Sequence, residues 1–176
     1  MSVCEKVPGA RWERLGLAGL AVVSAVALAG CGQDVQVASP KDPSNESPCD
    51  LVPGQTVHEL GFHQEGEEAA DGCTWKTGEG GVQLSIGVAP DRSLQDYRDE
   101  AGKYSDFGEL TIGGHPAVRA NSGNPREDGR CELVVAANDE QAVAAKAKIP
   151  SGATADPCAL AQQALAAGVL SWPVAE

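Results

Sequence analysis

The chain has 176 residues, with 25 acidic and 13 basic side chains, a length typical of one domain plus additional segments. The excess of acidic residues repels phosphate backbones, which excludes nucleic acid as a probable class of partner and favours a soluble monomer. Aromatic residues make up only 4% of the chain, so the core must be built mainly from aliphatic side chains.

The first thirty residues have the pattern of an export signal. Lys6, Arg11 and Arg14 precede an uncharged stretch at 15–28, which is shorter than the about 20 residues that a membrane-spanning helix needs. The sequence Leu28-Ala29-Gly30-Cys31 follows and resembles a bacterial lipobox. The resemblance implies that 1–30 is a signal peptide, that Cys31 carries a diacylglyceryl group, and that the protein is held at the extracytoplasmic face of the cell membrane. The alternative is an ordinary secreted protein with a chance cysteine.

The next segment, 31–48, contains the lipidated cysteine and a stretch rich in Pro, Ser and charged residues without a periodic apolar face. This composition is typical of a flexible tether. We therefore expect a folded domain over 49–176.

Four cysteines remain when Cys4 leaves with the signal peptide and Cys31 is acylated. An even number of cysteines in an exported domain indicates disulfides, and four cysteines allow three pairings. We favour the pairing that closes one loop within each half of the domain. A zinc site is the alternative, but the spacings lack a Cys-x-x-Cys pair and a neighbouring pair of histidines. The favoured disulfides are Cys49–Cys73 and Cys131–Cys158.

In the first half of the domain, the pattern predicts a short helix over 51–60 that ends at Gly61. A strand begins at 73–76, and alternation of apolar and polar residues predicts a second strand over 82–88. Ser93, with Asp96 three residues later, is typical of a helix N-cap and capping box. The helix that follows runs to about residue 104.

In the second half, strands are predicted at 110–112 and 116–120, joined by a two-residue turn at Gly113-Gly114, and 121–129 is read as a polar loop. Strands over 131–137 and 143–149 follow; the second is assigned as a strand because a helix would place Val143 and Ile149 on opposite faces. A final helix begins at Asp156-Pro157 and runs to Trp172, with Cys158 facing the core. The order α-β-β-α-β-β-β-β-α predicts an α+β fold in which helices pack on an antiparallel sheet stapled by two disulfides.

Several short motifs occur in order over about 48–172: Pro48-Cys49-Asp50-Leu51, Cys73-Thr74-Trp75, Gly114-His115-Pro116-Ala117, Cys131-Glu132-Leu133 and Asp156-Pro157-Cys158-Ala159. Together with the lipobox they resemble an actinobacterial family of small envelope lipoproteins that is catalogued as a domain of unknown function. The resemblance implies lipidation and paired cysteines, and it supplies no catalytic residue.

No pattern of catalytic or metal-binding residues emerges. His58 and His63 lack the spacing that places two zinc ligands on one helix face. The acidic run Glu65, Glu67, Glu68 and Asp71 lacks the spacing of a calcium loop and reads as a solvated loop. We therefore expect no metal, no cofactor and no catalytic site. The remaining candidates receive structural interpretations: His115 at a strand edge, Gly78-Glu79-Gly80-Gly81 as a hairpin connection, Trp75 packed on a disulfide, and Trp172 in the core or beside a groove.

The preferred functional interpretation is a non-catalytic module of the cell envelope that binds a protein or another envelope component. One alternative is a carrier or sensor that holds a small apolar ligand between the sheet and the helices. A second alternative is a hydrolytic enzyme, which would need a histidine, an acid and a nucleophile to converge in one cleft.

Overall fold

Seven antiparallel strands form one sheet in the computed structural model, which describes residues 37, 39–70, 72–78, 81–89, 91–150 and 152–175. Their spatial order is β1-β2-β3-β7-β6-β5-β4, so the chain crosses from the middle of the sheet to its far edge after β3 and returns strand by strand. The strands are β1 Glu67–Ala69, β2 Gly72–Lys76, β3 Gln83–Val88, β4 Asp106–Ile112, β5 His115–Asn121, β6 Arg130–Ala136 and β7 Ala142–Lys148.

Four α-helices accompany the sheet within the described residues, and short 3-10 helices occur at Pro48–Leu51 and Ala101–Lys103. The predicted α+β class, with helices on an antiparallel sheet and two disulfides, is confirmed. The helices are α1 Gly54–Glu59, α2 Leu94–Asp99, α3 Pro125–Asp128 and α4 Pro157–Ser171.

The structure adds two short elements to the predicted order. Part of the acidic run, for which the sequence predicts a solvated loop, forms the edge strand β1, where its exposed charges remain in water. Part of the predicted polar loop 121–129 forms α3, because Asn124 caps it, Pro125 starts it and Gly129, at φ 62°, ends it.

The first predicted helix is divided in two. The 3-10 helix ends at Leu51 and α1 begins at Gly54. Pro53 has no backbone N–H and disfavours helical geometry in the residue before it, and Val52 is accordingly extended, at φ −123° and ψ 127°. The predicted stop of this helix at Gly61 is confirmed. The last residue of α1 is Glu59, and Gly61, at φ 92°, has a backbone conformation that favours glycine after a helix.

Other local predictions hold. The Ser93–Asp96 capping box is formed, although α2 ends at Asp99 and a 3-10 turn replaces its predicted continuation. Gly113 and Gly114, at φ 58° and 87°, make the tight turn between β4 and β5. Asp156 caps α4 through hydrogen bonds from the Cys158 and Ala159 amides.

Residues 40–48, which the sequence analysis places in the tether, are attached to the domain. The Lys41 amide donates to the Ala137 carbonyl at 2.8 Å, and the Asn138 side chain donates to the Lys41 carbonyl at 2.9 Å. The Asp42 amide donates to the Pro173 carbonyl at 2.9 Å. The predicted signal peptide 1–30 and Cys31 lie outside the described residues. Among the described helices, none combines the length and the apolar character needed to cross a bilayer.

One side of the sheet, here called the covered face, holds the larger core. Side chains of β3, β6 and β7 pack there beneath α4 and the first 3-10 helix, and both predicted disulfides are present. Cys49–Cys73 joins the 3-10 helix to β2, and Cys131–Cys158 joins β6 to α4. The main contributors are Leu51, Leu84, Ile86, Leu133, Val143, Leu165 and Trp172, each at most 3% exposed.

The opposite side of the sheet is only partly covered. Leu94 and Tyr97 of α2 pack over Val118 and Val134, which closes this side above β5 and β6. The exposed side chain of Lys146 shows that β7 is not covered there. The uncovered part, over β2, β3, β7 and the start of β6, is here called the open face.

Candidate functional site

The open face carries three parallel rows of side chains, because β2, β3, β7 and β6 are adjacent and their register sets residues side by side. Alternate residues of each strand point to this side, so one row follows another every two residues. The first row is mainly cationic, the second contains hydroxyl and charged groups, and the third consists of small residues. The rows are Lys76-Gln83-Lys148-Arg130, then Thr74-Ser85-Lys146-Glu132, then Gly72-Gly87-Ala144, and the last row ends at β7 because α2 covers Val134 of β6.

The second and third rows line a groove of about 610 Å³. The groove is deepest along the third row, because glycine and alanine have short side chains or none. One wall consists of Arg92, Tyr97 and Tyr104. The Arg92 guanidinium lies 3.8 Å from the centroid of the Tyr97 ring and forms an ion pair of 2.8 Å with Glu100, so this wall is held in place by a cation–π contact and a salt bridge.

A second cavity of about 280 Å³ continues the groove toward the cationic row. Ser85, Glu132 and Lys146 line both cavities, while Arg130 and Lys148 line the second cavity but not the groove. The open face is therefore a continuous trough with a cationic end.

Glu132 is the half-buried carboxylate of the trough. Burial raises the pKa of Glu132, and the positive charges of Lys146 and Arg92 oppose that rise. The Lys146 ammonium is 3.8 Å from the carboxylate and its side chain is 64% exposed, so it neutralises Glu132 only weakly. The carboxylate consequently keeps acceptor capacity for a ligand.

Hydroxyl groups stand beside this carboxylate. The Thr74 and Ser85 hydroxyls share a hydrogen bond of 2.8 Å, and the Gln83 amide donates to Ser85 at 3.4 Å. Burial raises the pKa of the Tyr97 hydroxyl further above neutral pH, and as a neutral phenol it can donate a hydrogen bond. The trough thus presents donors, acceptors and aromatic surface together.

Arg130 and Lys148 form an unusual pair at the cationic end. They lie directly opposite each other on adjacent strands, an arrangement of like charges that destabilises a sheet. Among the described residues, neither has a carboxylate oxygen within 4.0 Å, whereas Lys76 in the same row pairs with Glu67 at 2.7 Å. Positive charge is therefore concentrated at this end of the trough.

A family model described as "Protein of unknown function (DUF3558)" matches residues 26–169 of the chain. The chain belongs to this family. No curated protein and no solved structure matched it.

In this DUF3558 chain, the two candidate histidines come closer than their helical spacing predicts. The His58 and His63 rings are 4.5 Å apart and nearly edge-on, because α1 ends at Glu59 and Gly61 reverses the chain. Both side chains are exposed. The part of the chain that the structure describes contains no group of three side chains suited to hold a metal ion.

The other acidic and glycine-rich candidates lie in or beside the sheet. In β1, Glu67 accepts a hydrogen bond from the Lys76 ammonium and Glu68 accepts one from the Ser47 hydroxyl. Asp71 lies outside the described residues. The segment Gly78-Glu79-Gly80-Gly81 joins the antiparallel neighbours β2 and β3, as predicted, although Glu79 and Gly80 are outside the described residues.

His115, Trp75 and Trp172 have structural positions. His115 is 4% exposed, its Nδ1 is 2.8 Å from the Ala136 carbonyl, and it lies on the side of the sheet opposite the trough. Trp75 is buried beside the Cys49–Cys73 disulfide, as predicted. Trp172 belongs to the core rather than to a groove, since it is 3% exposed and donates to the Leu51 carbonyl at 2.9 Å.

The space between α4 and the sheet, where an apolar ligand would sit, is filled by fully buried side chains such as Leu133 and Leu165. The described cavities instead open along the sheet surface and the ends of strands.

Sequence reasoning missed the trough. The signal that could have found it is the alternation of Lys146 and Lys148 with buried alanines, which marks a strand with one polar side. That β7 lies in the middle of the sheet becomes known only from the strand order. A charged side on a central strand then indicates an uncovered face.

Proposed function

We propose that this DUF3558 protein is a lipid-anchored module of the extracytoplasmic membrane surface that binds an envelope component in the trough, without catalysing a reaction. The observation that carries the proposal is the trough itself. A central part of the sheet leaves a polar face open beside a fixed aromatic wall. Concave surfaces with a few convergent polar groups are the usual form of ligand sites.

Export and anchoring are supported by two independent features. The lipobox-like Leu28-Ala29-Gly30-Cys31 follows a basic and then apolar segment, and two acyl chains on one cysteine anchor a protein stably. The two disulfides are typical of an oxidising, extracytoplasmic compartment.

The anchor would hold the domain close to the membrane. Val37 is 8% exposed and packs with Ala89 and Ala142. It follows Cys31 by six positions, and a fully extended chain of that length reaches about 20 Å. The end of the domain that carries Val37 would therefore lie near the lipid surface.

The anchor is tested by the mass and fractionation of the full chain expressed in a bacterial host that processes lipoproteins. The denatured mass should equal that of residues 31–176 plus acyl groups, less four hydrogens for two disulfides. Cys31→Ser should lose the acyl mass and the membrane association, whereas Cys4→Ser should behave as the unaltered protein. An acylated Cys31→Ser chain would refute the anchor.

Binding in the trough is tested by native mass spectrometry of the full chain, extracted in neutral detergent from its own membranes. The unaltered protein should retain mass beyond its denatured mass. Ala144→Phe fills the floor of the groove and should lose that excess, while Ala159→Phe makes the same change at an exposed position of α4 and should keep it. Equal native and denatured masses for the unaltered protein would argue against a retained ligand.

A further inference from the structure

We propose that the ligand of the trough is an acidic saccharide, in which sugar hydroxyls meet the second row and a phosphate or carboxylate group binds between Arg130 and Lys148. This inference rests on the proposed binding function and specifies its ligand class. The juxtaposition that carries it is a cation pair without a carboxylate partner at one end of a hydroxyl-lined trough.

The positive charges of Arg130 and Lys148 would be stabilised by a bound anion. The chain carries 25 acidic residues against 13 basic ones, so carboxylates are available throughout the surface, and cations such as Lys103 and Arg119 have partners at 2.6–2.7 Å. Arg130 and Lys148 nevertheless face each other without one among the described residues. The Asp128 carboxylate lines an adjoining cavity but lies more than 4.0 Å from both. A bound oxyanion would offset their repulsion and accept charge-assisted hydrogen bonds from both.

The neighbouring row suits a ligand rich in hydroxyl groups. Thr74 and Ser85 are both donors and acceptors, Glu132 accepts, and Lys146 donates. These four side chains occupy consecutive strands, at the about 4.8 Å spacing of a sheet. That spacing is comparable to the distance between hydroxyls across a sugar ring, and the small side chains of the third row leave room for a ring beside Tyr104.

The surroundings favour a saccharide over a peptide or a bilayer. A strand-like peptide needs a free sheet edge, and β3 and β7 are central strands whose backbone groups are used by their neighbours. A bilayer surface needs apolar side chains to insert. The large exposed apolar side chains among the described residues are Leu170 and Val174, and neither lines the trough.

The test is a titration of the full chain, labelled with ¹⁵N in neutral-detergent micelles, with glucose 1-phosphate, glucose and inorganic phosphate. Glucose 1-phosphate should bind at least about tenfold more tightly than either fragment, with shifts confined to the first two rows. Raising the salt concentration should weaken binding, because the phosphate contact is partly exposed to solvent.

Matched double variants identify the cations. Arg130→Gln/Lys148→Gln should weaken glucose 1-phosphate at least about tenfold while leaving the unfolding midpoint equal or higher, because repulsion is removed. Lys103→Gln/Arg126→Gln makes the same change in charge outside both cavities and should leave the affinity unchanged.

Four results would overturn the assignment. Phosphate alone binding as tightly as the sugar phosphate would show that an anion suffices, and glucose binding as tightly would show that the cation pair is not used. Preferential binding to phosphatidylglycerol vesicles, with shifts in the trough, would replace the saccharide by a lipid surface. If no probe binds while Ala144→Phe still abolishes a native mass excess, the ligand class is wrong and the proposed function stands.

Discussion

The two faces of the sheet differ most clearly along β7. Ala145 and Ala147 are at most 1% exposed on the covered face, while the Lys146 side chain between them is 64% exposed on the open face. The covered face has α4, both disulfides and the larger core. Stability is therefore concentrated on one side of the sheet, which leaves the other side free to carry charges, hydroxyl groups and small side chains. Changes on the two faces should therefore have separable effects.

The largest loss of stability is expected from opening a disulfide of the covered face. Cys131→Ala/Cys158→Ala removes a cross-link between residues 27 apart and should lower the free energy of unfolding by about 2–5 kcal/mol. Urea denaturation measures the loss. A loss below about 1 kcal/mol would show that α4 is held to the sheet by packing alone.

A smaller loss is expected where α4 approaches the first 3-10 helix. A Cβ on Gly168 would lie 2.5 Å from the Leu51 carbonyl oxygen and 3.1 Å from Trp172. Gly168→Ala should therefore destabilise by about 1–3 kcal/mol, although alanine favours helices elsewhere. Thermal unfolding provides the measurement.

Gly54→Ala is the matched control, since a Cβ at Gly54 meets nothing within 4 Å. It should leave stability unchanged or raise it by up to about 1 kcal/mol. Equal effects of the two substitutions would contradict the close packing assigned to α4.

The rim of the covered face should show a pH-dependent effect. Asp106 accepts two hydrogen bonds from Arg119, at 2.7 and 2.8 Å, and these hold the pKa of Asp106 below its ordinary value. Asp106→Asn should cost about 1 kcal/mol at pH 7, a modest figure because Arg119 is 41% exposed.

The sign follows from the lowered pKa. The ionised carboxylate stabilises the fold above the unfolded pKa of about 4, and that contribution is lost as the pH falls through the lower folded pKa. The difference between Asp106→Asn and the unaltered protein should therefore shrink below about pH 4. Glu109→Gln, at an ion pair whose carboxylate is 60% exposed, should have little effect at any pH.

The smallest effect on stability is expected on the open face. Burial raises the pKa of Glu132, so the folded state disfavours its charge once the pH exceeds the unfolded value of about 4.3. Glu132→Gln should therefore be neutral or stabilising by up to about 0.5 kcal/mol at pH 7 and without effect below about pH 4. A destabilisation above about 1 kcal/mol at pH 7 would mean that Glu132 supports the fold rather than a ligand.

The sequence predicts the covered face well because its signals are local. Apolar alternation placed Leu133 and Val143 on one side, the Asp156-Pro157 start placed Cys158 toward the core, and two loop closures gave the disulfide pairing. Pro53, by contrast, divides the first helix, and β1 forms at an edge where charged residues do not reveal a strand.

The trough depends on relations that a single sequence does not contain. Lys148 and Arg130 are 18 positions apart, and Thr74 and Glu132 are 58 positions apart. They meet only because β7 returns between β3 and β6. The position of α2 on the sheet is likewise set by tertiary packing. Because α2 covers β5 and β6, these charged side chains remain exposed to solvent.

The most direct test of the account is labelling of lysines on intact cells with a membrane-impermeant amine reagent, read out by peptide mass spectrometry. Lys146 on the open face and Lys103 outside the trough have similarly exposed side chains, 64% and 70%, so their ratio reports occupancy of the trough. Lys146 and Lys148 should react severalfold less than Lys103 on cells, and their reactivity should recover when the protein is purified free of ligand. An unchanged ratio would contradict a ligand on the open face, and complete protection of Lys103 would contradict an extracytoplasmic location.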